Sequence, residues 1–403
     1  MINSITHCRL CLSDRIPIVW DFGISPMANA FKTSAELELS ELELPLRYFK
    51  CDNCHSIQLK DEVDPNILFK EYLYETPPNL IPHFKELVKT TVEYLNIQPF
   101  ERIVDIGSNN GLLLQEFKNL GYTKVAGFEP CDRIAQKARD KDILTISKFF
   151  NSATAETFTE EHRRPELITC TNCFAHVPNL TEFIDGLKII MSDTSYFVFE
   201  NAYLLNTIQN KDFGQAYFEH MFMHSILPLE KFFSTHGFEL FKVEYNNVQM
   251  GSIRGYVRRN TNRRIQKDSS VADAINKELS VGLDKSEIYS NFINDINDIK
   301  TKLISKLEAI KADGKSTVVY AWPAKMTLLN KYFGVEKYLN YIIEESNVKT
   351  GKYAPGTHLE IKDLQYFKEN PTDYCLLGAY NFETDIRNKN SWYLGQWINP
   401  LNL

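Results

Sequence analysis

Glu101–Pro130 reads ERIVDIGSNNGLLLQEFKNLGYTKVAGFEP. Ile103 and Val104 enter a buried strand, Gly107 to Gly111 turn the chain sharply, and Leu112 to Leu120 predict an apolar-faced helix. Gly121 closes that helix, Val125–Phe128 make the next strand, and Glu129 follows directly. Strand, glycine turn, helix, strand and acid open a doubly wound α/β sheet, in which turn and acid face one ligand crevice. The turn admits close backbone approach, and the acid takes a ribose diol. The glycines are spaced GxxxG (Gly107, Gly111), without the GxGxxG of a pyrophosphate loop. A ligand with no phosphate, such as S-adenosylmethionine, suits that difference. Asp105, Gly107, Ser108, Asn109, Gly111, Glu129 and Pro130 are then the candidate cofactor residues of this stretch. The plainer alternative is a βαβ unit with a glycine turn and no ligand.

Beyond Glu129, Arg133–Arg139 predicts a short helix, Leu144–Ile146 a third strand and Leu167–Cys170 a fourth. The fourth runs into Thr171–Leu180, TNCFAHVPNL. Strand ends in this topology point at the ligand, so Asn172, Phe174 and His176 join the candidate cofactor set. Cys170 and Cys173 form a CxxC with no second pair nearby, which reads as small core side chains. Phe183–Met191 predicts a helix, and Tyr196–Phe199 a fifth strand ending in Glu200. Ahead of the central stretch, Tyr72 and Tyr74 precede the Pro77-Pro78 break. Either tyrosine could line a substrate pocket or pack between lobes.

Near the N-terminus, Cys8-x-x-Cys11 and Cys51-x-x-Cys54 offer two thiolates each, and zinc wants four ligands in a tetrahedron. Four thiolates leave no open position, so the ion is expected to be structural. His7 and His55 each neighbour a ligand and could substitute; reduced free cysteines or a redox pair are the alternatives. Phe22–Phe31, FGISPMANAF, is too apolar for a linker and is expected to cover the metal lobe or face the cleft.

The 403 residues suit two or three domains. A formal net charge of −7 gives no global field for nucleic acid or anionic membrane, so neither is an expected partner. The run Arg258, Arg259, Arg263, Arg264 reads as a solvated segment. No apolar run approaches the ~20 residues of a membrane span. MINSITHCRLC lacks a signal-peptide pattern, and eight cysteines with paired spacing suit a reduced compartment, so a cytoplasmic location is expected.

In the C-terminal half, Ile288, Phe292, Ile296, Ile299, Leu303, Leu307 and Ile310 mark a long amphipathic helix stopped by Gly314. It is expected to bridge the central sheet and the last lobe, with a coiled-coil dimer contact as the alternative; the assembly reads as a monomer or weak dimer. Thr317–Tyr320, Tyr341–Ile343 and Asp373–Leu377 alternate as strands with the helix Met326–Tyr332, arguing a second parallel sheet. Lys325, Thr357 and His358 are expected on loops that could hold a nucleotide diphosphate or sugar.

Asp212–Ser225, DFGQAYFEHMFMHS, concentrates tyrosine, carboxylate and two histidines. Imidazole suits proton abstraction near neutral pH, and a neighbouring carboxylate can orient it or share protons. Taken in order, the CRxC…CxxC opening, PMANAF, YLYET, DIGSNNG with FEP, NCFAHV, YFEH, AKMTLLN, GKYAPGTHLEI and LLGAYNFETDI resemble the sugar C-methyltransferases that act on nucleotide-linked 4-keto-deoxy sugars. The resemblance spans nearly the whole chain. It implies an α/β protein of three lobes: zinc-binding (1–68), central S-adenosylmethionine-binding Rossmann-like sheet (69–265) and C-terminal Rossmann-like lobe (266–403). It also implies that His220 is the base, that Glu219 and Tyr217 position the sugar or assist proton transfer, and that Tyr74 reaches the sugar. Three departures stand out: Phe218 in place of a histidine, Gln249-Met250-Gly251-Ser252 for His-Gly-Gly-Ser, and Tyr320–Lys325 for a Gly-Ala-rich turn. All three are expected at the substrate and read as a changed sugar or carrier. O- or N-methylation of a related metabolite, or a zinc-ribbon scaffold without catalysis, are the competing readings.

Overall fold

A computed structural model describes residues 2–69 and 74–403, so Tyr72 lies outside the described residues. The N-terminal lobe holds β1 (Ile2–Ser4), β2 (Ile18–Pro26), β3 (Glu43–Lys50), β4 (Ile57–Leu59) and β5 (Asp61–Val63). The central lobe follows with β6 (Ile103–Ile106), β7 (Val125–Phe128), β8 (Leu144–Ile146), β9 (Leu167–Thr171) and β10 (Tyr196–Ala202). After β11 (Phe222–Met223), a hairpin of β12 (Phe238–Asn246) and β13 (Ser252–Arg259) completes its sheet. The order is β12-β13-β10-β9-β6-β7-β8, with β13 antiparallel to both neighbours and β6 to β10 parallel. The chain winds outward from β6 to β8 and returns to place β9 on the other side of β6. Crevices for ligands open at such a reversal, beyond the carboxyl ends of the strands.

Apolar β-branched and aromatic residues fill both faces of this sheet. Phe174, Phe183, Phe197, Phe199 and Phe233 form a contiguous ring cluster on one of them. Arg258 is not solvated as expected: it is buried, donates to Glu239 and lies over the Phe241 ring. Arg263 and Arg264 do reach solvent, paired with Glu239 and Glu166.

The C-terminal lobe is a five-stranded parallel sheet of β14 (Thr317–Tyr320), β15 (Ile342–Ile343), β16 (Ile361–Lys362), β17 (Tyr374–Leu377) and β18 (Gln396–Ile398). Its order, β16-β15-β14-β17-β18, has its own reversal between β14 and β17.

The helix Glu287–Ala312 carries the apolar stripe read from the sequence. Its first turns pack against the N-terminal lobe, and Asp295 pairs with Lys211 of the central lobe at 3.1 Å. Tyr289 and Phe292 pack on Trp20 of β2, with ring centroids 5.8 and 4.9 Å away, while Lys300 donates to the Tyr332 carbonyl of the last lobe. The stripe is buried from Tyr289 to Ile310, so it is spent inside the chain and leaves no seam for a coiled-coil dimer. Each such side chain contributes about 1.5–3 kcal/mol on burial.

The lobes interlock at one further place. β11 adds to the edge of the N-terminal sheet, giving the order β11-β4-β3-β2, with Phe222 opposite Gln58 and Met223 opposite Ile57. A strand two residues downstream of His220 is therefore hydrogen-bonded to the metal lobe. No helix among the described residues is long and apolar enough to cross a membrane.

Candidate active site

The four N-terminal cysteines converge. Their sulfurs all lie within 4.8 Å of one another, with Cys8–Cys54 and Cys11–Cys51 at 3.5 Å. A tetrahedral zinc with Zn–S bonds near 2.3 Å sets its sulfurs about 3.8 Å apart, so the cluster fits the ion. Both knuckles have one geometry. Leu12 (φ 59°) donates to the Cys8 carbonyl and His55 (φ 65°) to that of Cys51, each residue turning left-handed just past its pair. The Gln58 amide donates to the Cys8 sulfur at 3.0 Å, as suits a thiolate ligand. His7 and His55 are not in the cluster, so four thiolates form it alone.

A cavity of about 330 Å³ opens at the carboxyl ends of β6, β7 and β9. Asp105, Gly107, Ser108, Asn109, Glu129 and Pro130 line it, as do Asn172, His176 and Tyr74. Gly107 has φ +74°, and a Cβ there would meet the Cys173 sulfur at 2.5 Å, so only glycine allows the turn. The buried Glu129 carboxylate accepts the N–H groups of Asn109 (3.1 Å) and Cys131 (2.8 Å), while burial pushes its pKa up. Burial likewise raises Asp105 to about 7, against a hydrogen bond donated by Thr169. Asn109 accepts from the Thr76 N–H and donates to the Tyr74 carbonyl, which ties the Tyr74 segment over the loop.

Two residues of the expected set lie elsewhere. Gly111 shapes the turn from behind: its absent Cβ makes room for Ala138, 2.9 Å away. Phe174 is wholly buried, stacked on His224 at 5.0 Å within the ring cluster. Strand-end position brings the chain to the crevice, but a short helical turn at Phe174–His176 rotates alternate side chains away from it.

Beside the cavity sits the Asp212–Met223 segment. The Nδ1 of His220 is 2.6 Å from the Gln215 carbonyl, which can only accept, so Nδ1 carries the hydrogen. In the neutral ring Nε2 is then an acceptor, and the Tyr217 hydroxyl donates to it at 2.7 Å. Enclosure, then the neighbouring His176, push the His220 pKa well below the ordinary histidine value. The ring lies 4.9 Å from that of His176, a wall of the crevice.

Glu219 is buried; its Oε1 accepts from Asn29 at 2.9 Å, and its Oε2 has no hydrogen-bond partner among the described residues. Burial raises its pKa to about 7. Asn29 belongs to the PMANAF stretch, which thus faces the cleft. From β3, the Tyr48 hydroxyl lies 2.9 Å from the His220 carbonyl and 3.1 Å from that of Tyr217.

The departures fall unevenly. Phe218 is buried in the hydrophobic core and offers no side chain to a pocket. Gln249 and Met250 make the left-handed turn of the β12–β13 hairpin. Trp322 is fully buried, with its N–H donating to Glu344 and its indole N–H to Thr327, and it fills the turn after β14. Lys325 is not on a loop: it opens the helix Ala324–Phe333 and is buried, which lowers its pKa. Thr357 is buried and bonded to Ala354, whereas His358 is exposed.

Comparison with known proteins follows the same three parts. A family described as "Putative zinc binding domain" matches residues 8–69, "Methyltransferase domain" matches 79–243, and "C-methyltransferase C-terminal domain" matches 247–401. The three matches lie end to end along the chain, from residue 8 to residue 401. The C-methyltransferase NovU of Streptomyces niveus is 26% identical over 408 residues, covering 100% of this chain and 96% of NovU. Among solved structures, magnesium protoporphyrin IX methyltransferase of Synechocystis PCC 6803 with bound SAM is 13% identical, with a TM-score of 0.35. It covers 49% of this chain and 98% of its own. An S-adenosylmethionine-dependent methyltransferase from Clostridium acetobutylicum ATCC 824 is 10% identical, covers 44% and 91%, and has a TM-score of 0.37. The protein is an S-adenosylmethionine-dependent C-methyltransferase with a zinc-binding N-terminal domain.

Other lining residues escaped the sequence reading. Lys148 to Asn151 follow β8 and wall the crevice, as do Leu80 and Phe84 from the helix that covers it. The strand-end rule that pointed to Glu129 after β7 points equally to Lys148 after β8. Leu80 and Phe84 gave no comparable signal, because an apolar helix face reads as core.

Proposed function

We propose that the substrate is a nucleotide-linked keto-deoxy sugar, methylated on the ring carbon beside its ketone, with His220 as the base. The observation that carries this reading is the neutral His220 imidazole beside His176 of the crevice wall, its Nδ1 hydrogen engaged by the Gln215 carbonyl and its Nε2 lone pair met by the Tyr217 hydroxyl. A proton next to a ketone is acidic because the carbanion delocalises onto oxygen. His220 Nε2 takes that proton once the Tyr217 hydroxyl yields to the substrate. Glu219 has its Oε1 occupied by Asn29, so its proton sits on Oε2 and is donated to the ketone oxygen as negative charge grows there. Tyr74, at the outer wall, contacts the sugar. S-adenosylmethionine, when bound, would supply an electrophilic sulfonium methyl group whose transfer leaves a neutral thioether. Positioning does most of the rest, and a well-oriented pair can recover about 7–11 kcal/mol of barrier.

Labelled cofactor and a nucleotide 4-keto-6-deoxy sugar should give a product whose methyl is on a ring carbon by NMR. A methyl on oxygen or nitrogen overturns the reading. Solvent-deuterium exchange at the reacting carbon should occur without cofactor.

The Glu219 role fixes a pH dependence. A carboxyl raised to about 7 is neutral below that value and loses its donor proton above it. The kcat/KM profile should therefore fall as pH rises through about 7, while His220 stays an unprotonated base well below the ordinary histidine range. Glu219→Gln keeps a donor and should erase the fall near 7; a fall that survives it refutes the assignment.

Glu129 is proposed to take the ribose diol of the cofactor. Glu129→Ala should weaken cofactor binding by about 10–100-fold in calorimetry, the value of one or two hydrogen bonds to a charged acceptor. Unchanged affinity would move the ribose elsewhere.

A further inference from the structure

We propose that Asp212 is a positioning residue through which the C-terminal lobe fixes the tautomer of His220, an inference that rests on His220 being the base. Asp212 is 1% exposed and lies three residues beyond the helix Leu204–Gln209, its N–H donating to the Thr207 carbonyl, at the head of the segment that carries the base. Its Oδ1 accepts from the Tyr380 hydroxyl at 2.7 Å, and the Lys325 ammonium stands 3.8 Å away. Both partners belong to the last lobe, at the reversal between β14 and β17 where a Rossmann-like sheet would hold a ligand. Here the turn is filled instead. Trp322 and Pro323 occupy it, and Lys325 is committed to Asp212, to Asn381 at 3.1 Å and to the face of the Tyr380 ring at 4.4 Å. Gly214 presses into the same place: a Cβ on it would come within 2.4 Å of the Tyr380 oxygen and 2.6 Å of the Lys325 Cβ.

The other face of Asp212 points toward the base. Its Oδ2 accepts from the Gln215 side-chain amide at 2.8 Å, and its backbone carbonyl accepts the Gln215 N–H at 3.2 Å. Gln215 is thereby held at both ends, and its own carbonyl receives the Nδ1 hydrogen of His220. That last bond decides which ring nitrogen has a free lone pair. If the Gln215 carbonyl swings away, the ring can carry its hydrogen on Nε2 and presents no base. The carboxylate thus orients the imidazole one residue removed, through a backbone carbonyl. It can do so only while its own charge is met by Tyr380 and Lys325, since an unpaired buried carboxylate is costly.

Tyr380→Phe removes one hydroxyl and should lower kcat about tenfold; Asp212→Ala should lower it about a hundredfold, the scale of an ångström-level misplacement. KM for either substrate should stay within about threefold, because neither side chain is placed to touch them. Nitrogen-15 spectra of histidine-labelled protein should show His220 protonated on Nδ1 in the parent and a mixture of tautomers in both variants. The spectra need no turnover. Should Asp212→Ala fail to fold, Tyr380→Phe alone decides. Retention of both kcat and the Nδ1-protonated form in folded variants overturns the inference. His220→Ala, measured alongside, separates the two claims: if it still turns over, the base assignment falls; if it does not while Asp212→Ala does, only the role of Asp212 falls.

Discussion

His220→Ala is expected to lower kcat by about 10³-fold or more while leaving both ligands bound, within the 10²–10⁴ range of a general base. The size follows from how the site is built. Nε2 of His220 combines a fixed tautomer with a lone pair turned toward an exchangeable donor, the Tyr217 hydroxyl. His176 and His224 do not replace it. Burial holds each at about 4, but the His176 Nδ1 has no hydrogen-bond partner among the described residues, and His224 is stacked between Phe174 and Phe222. The variant should also lose solvent-deuterium exchange at the reacting carbon, which reports deprotonation alone. Calorimetry should find nucleotide-sugar and cofactor affinities little changed. Unaltered turnover would remove His220 from the reaction, and lost exchange with lost binding would make it a binding residue instead.

Local signals made much of this legible in the sequence. The β6–turn–β7 unit and Glu129 follow from glycine spacing and apolar runs, and the two CxxC knuckles from ligand chemistry, because each is set by residues close along the chain. What the sequence hid depends on distant partners. The β12–β13 hairpin was missed since a bulge between Leu240 and Lys242 breaks its alternation, so period two never emerges cleanly. Arg258 reads as solvated because its burial is paid for by Glu239 and Phe241 on the neighbouring strand. Phe174 sits one turn from where strand-end logic puts it. The pairing of β11 with β4 joins residues far apart in sequence, and nothing in Phe222-Met223 announces it. Yet that pairing, with Tyr48 and Asn29, is what holds Tyr217 to His220 against the metal lobe.

This coupling sets the other large expectation: removing zinc should abolish methyl transfer while cofactor binding persists. A lobe of roughly sixty residues buries too little surface to hold its fold unaided, and structural zinc supplies about 10–16 kcal/mol in zinc-finger peptides. Loss of the ion by chelation, or Cys51→Ala, leaves unpaired thiols among Cys8, Cys11 and Cys54 and releases both knuckle turns. The damage then travels by named contacts. Gln58 bonds the Cys8 sulfur and lies opposite Phe222, and β3, which carries Tyr48, pairs with the same β4. Loosening β3 and β4 frees the carbonyls of Tyr217 and His220, and loosening the PMANAF stretch frees Glu219 from Asn29. The crevice walls from Asp105 to Glu129 stand on β6 and β7, which share no strand pairing with the metal lobe. Chelation should therefore divide the enzyme's two tasks, with calorimetry still reporting cofactor uptake and product assays reporting none. Turnover that survives complete zinc removal would mean that Trp20, Tyr48 and the long helix packed on them hold the lobe by apolar burial alone. The metal would then be dispensable to the geometry of the base.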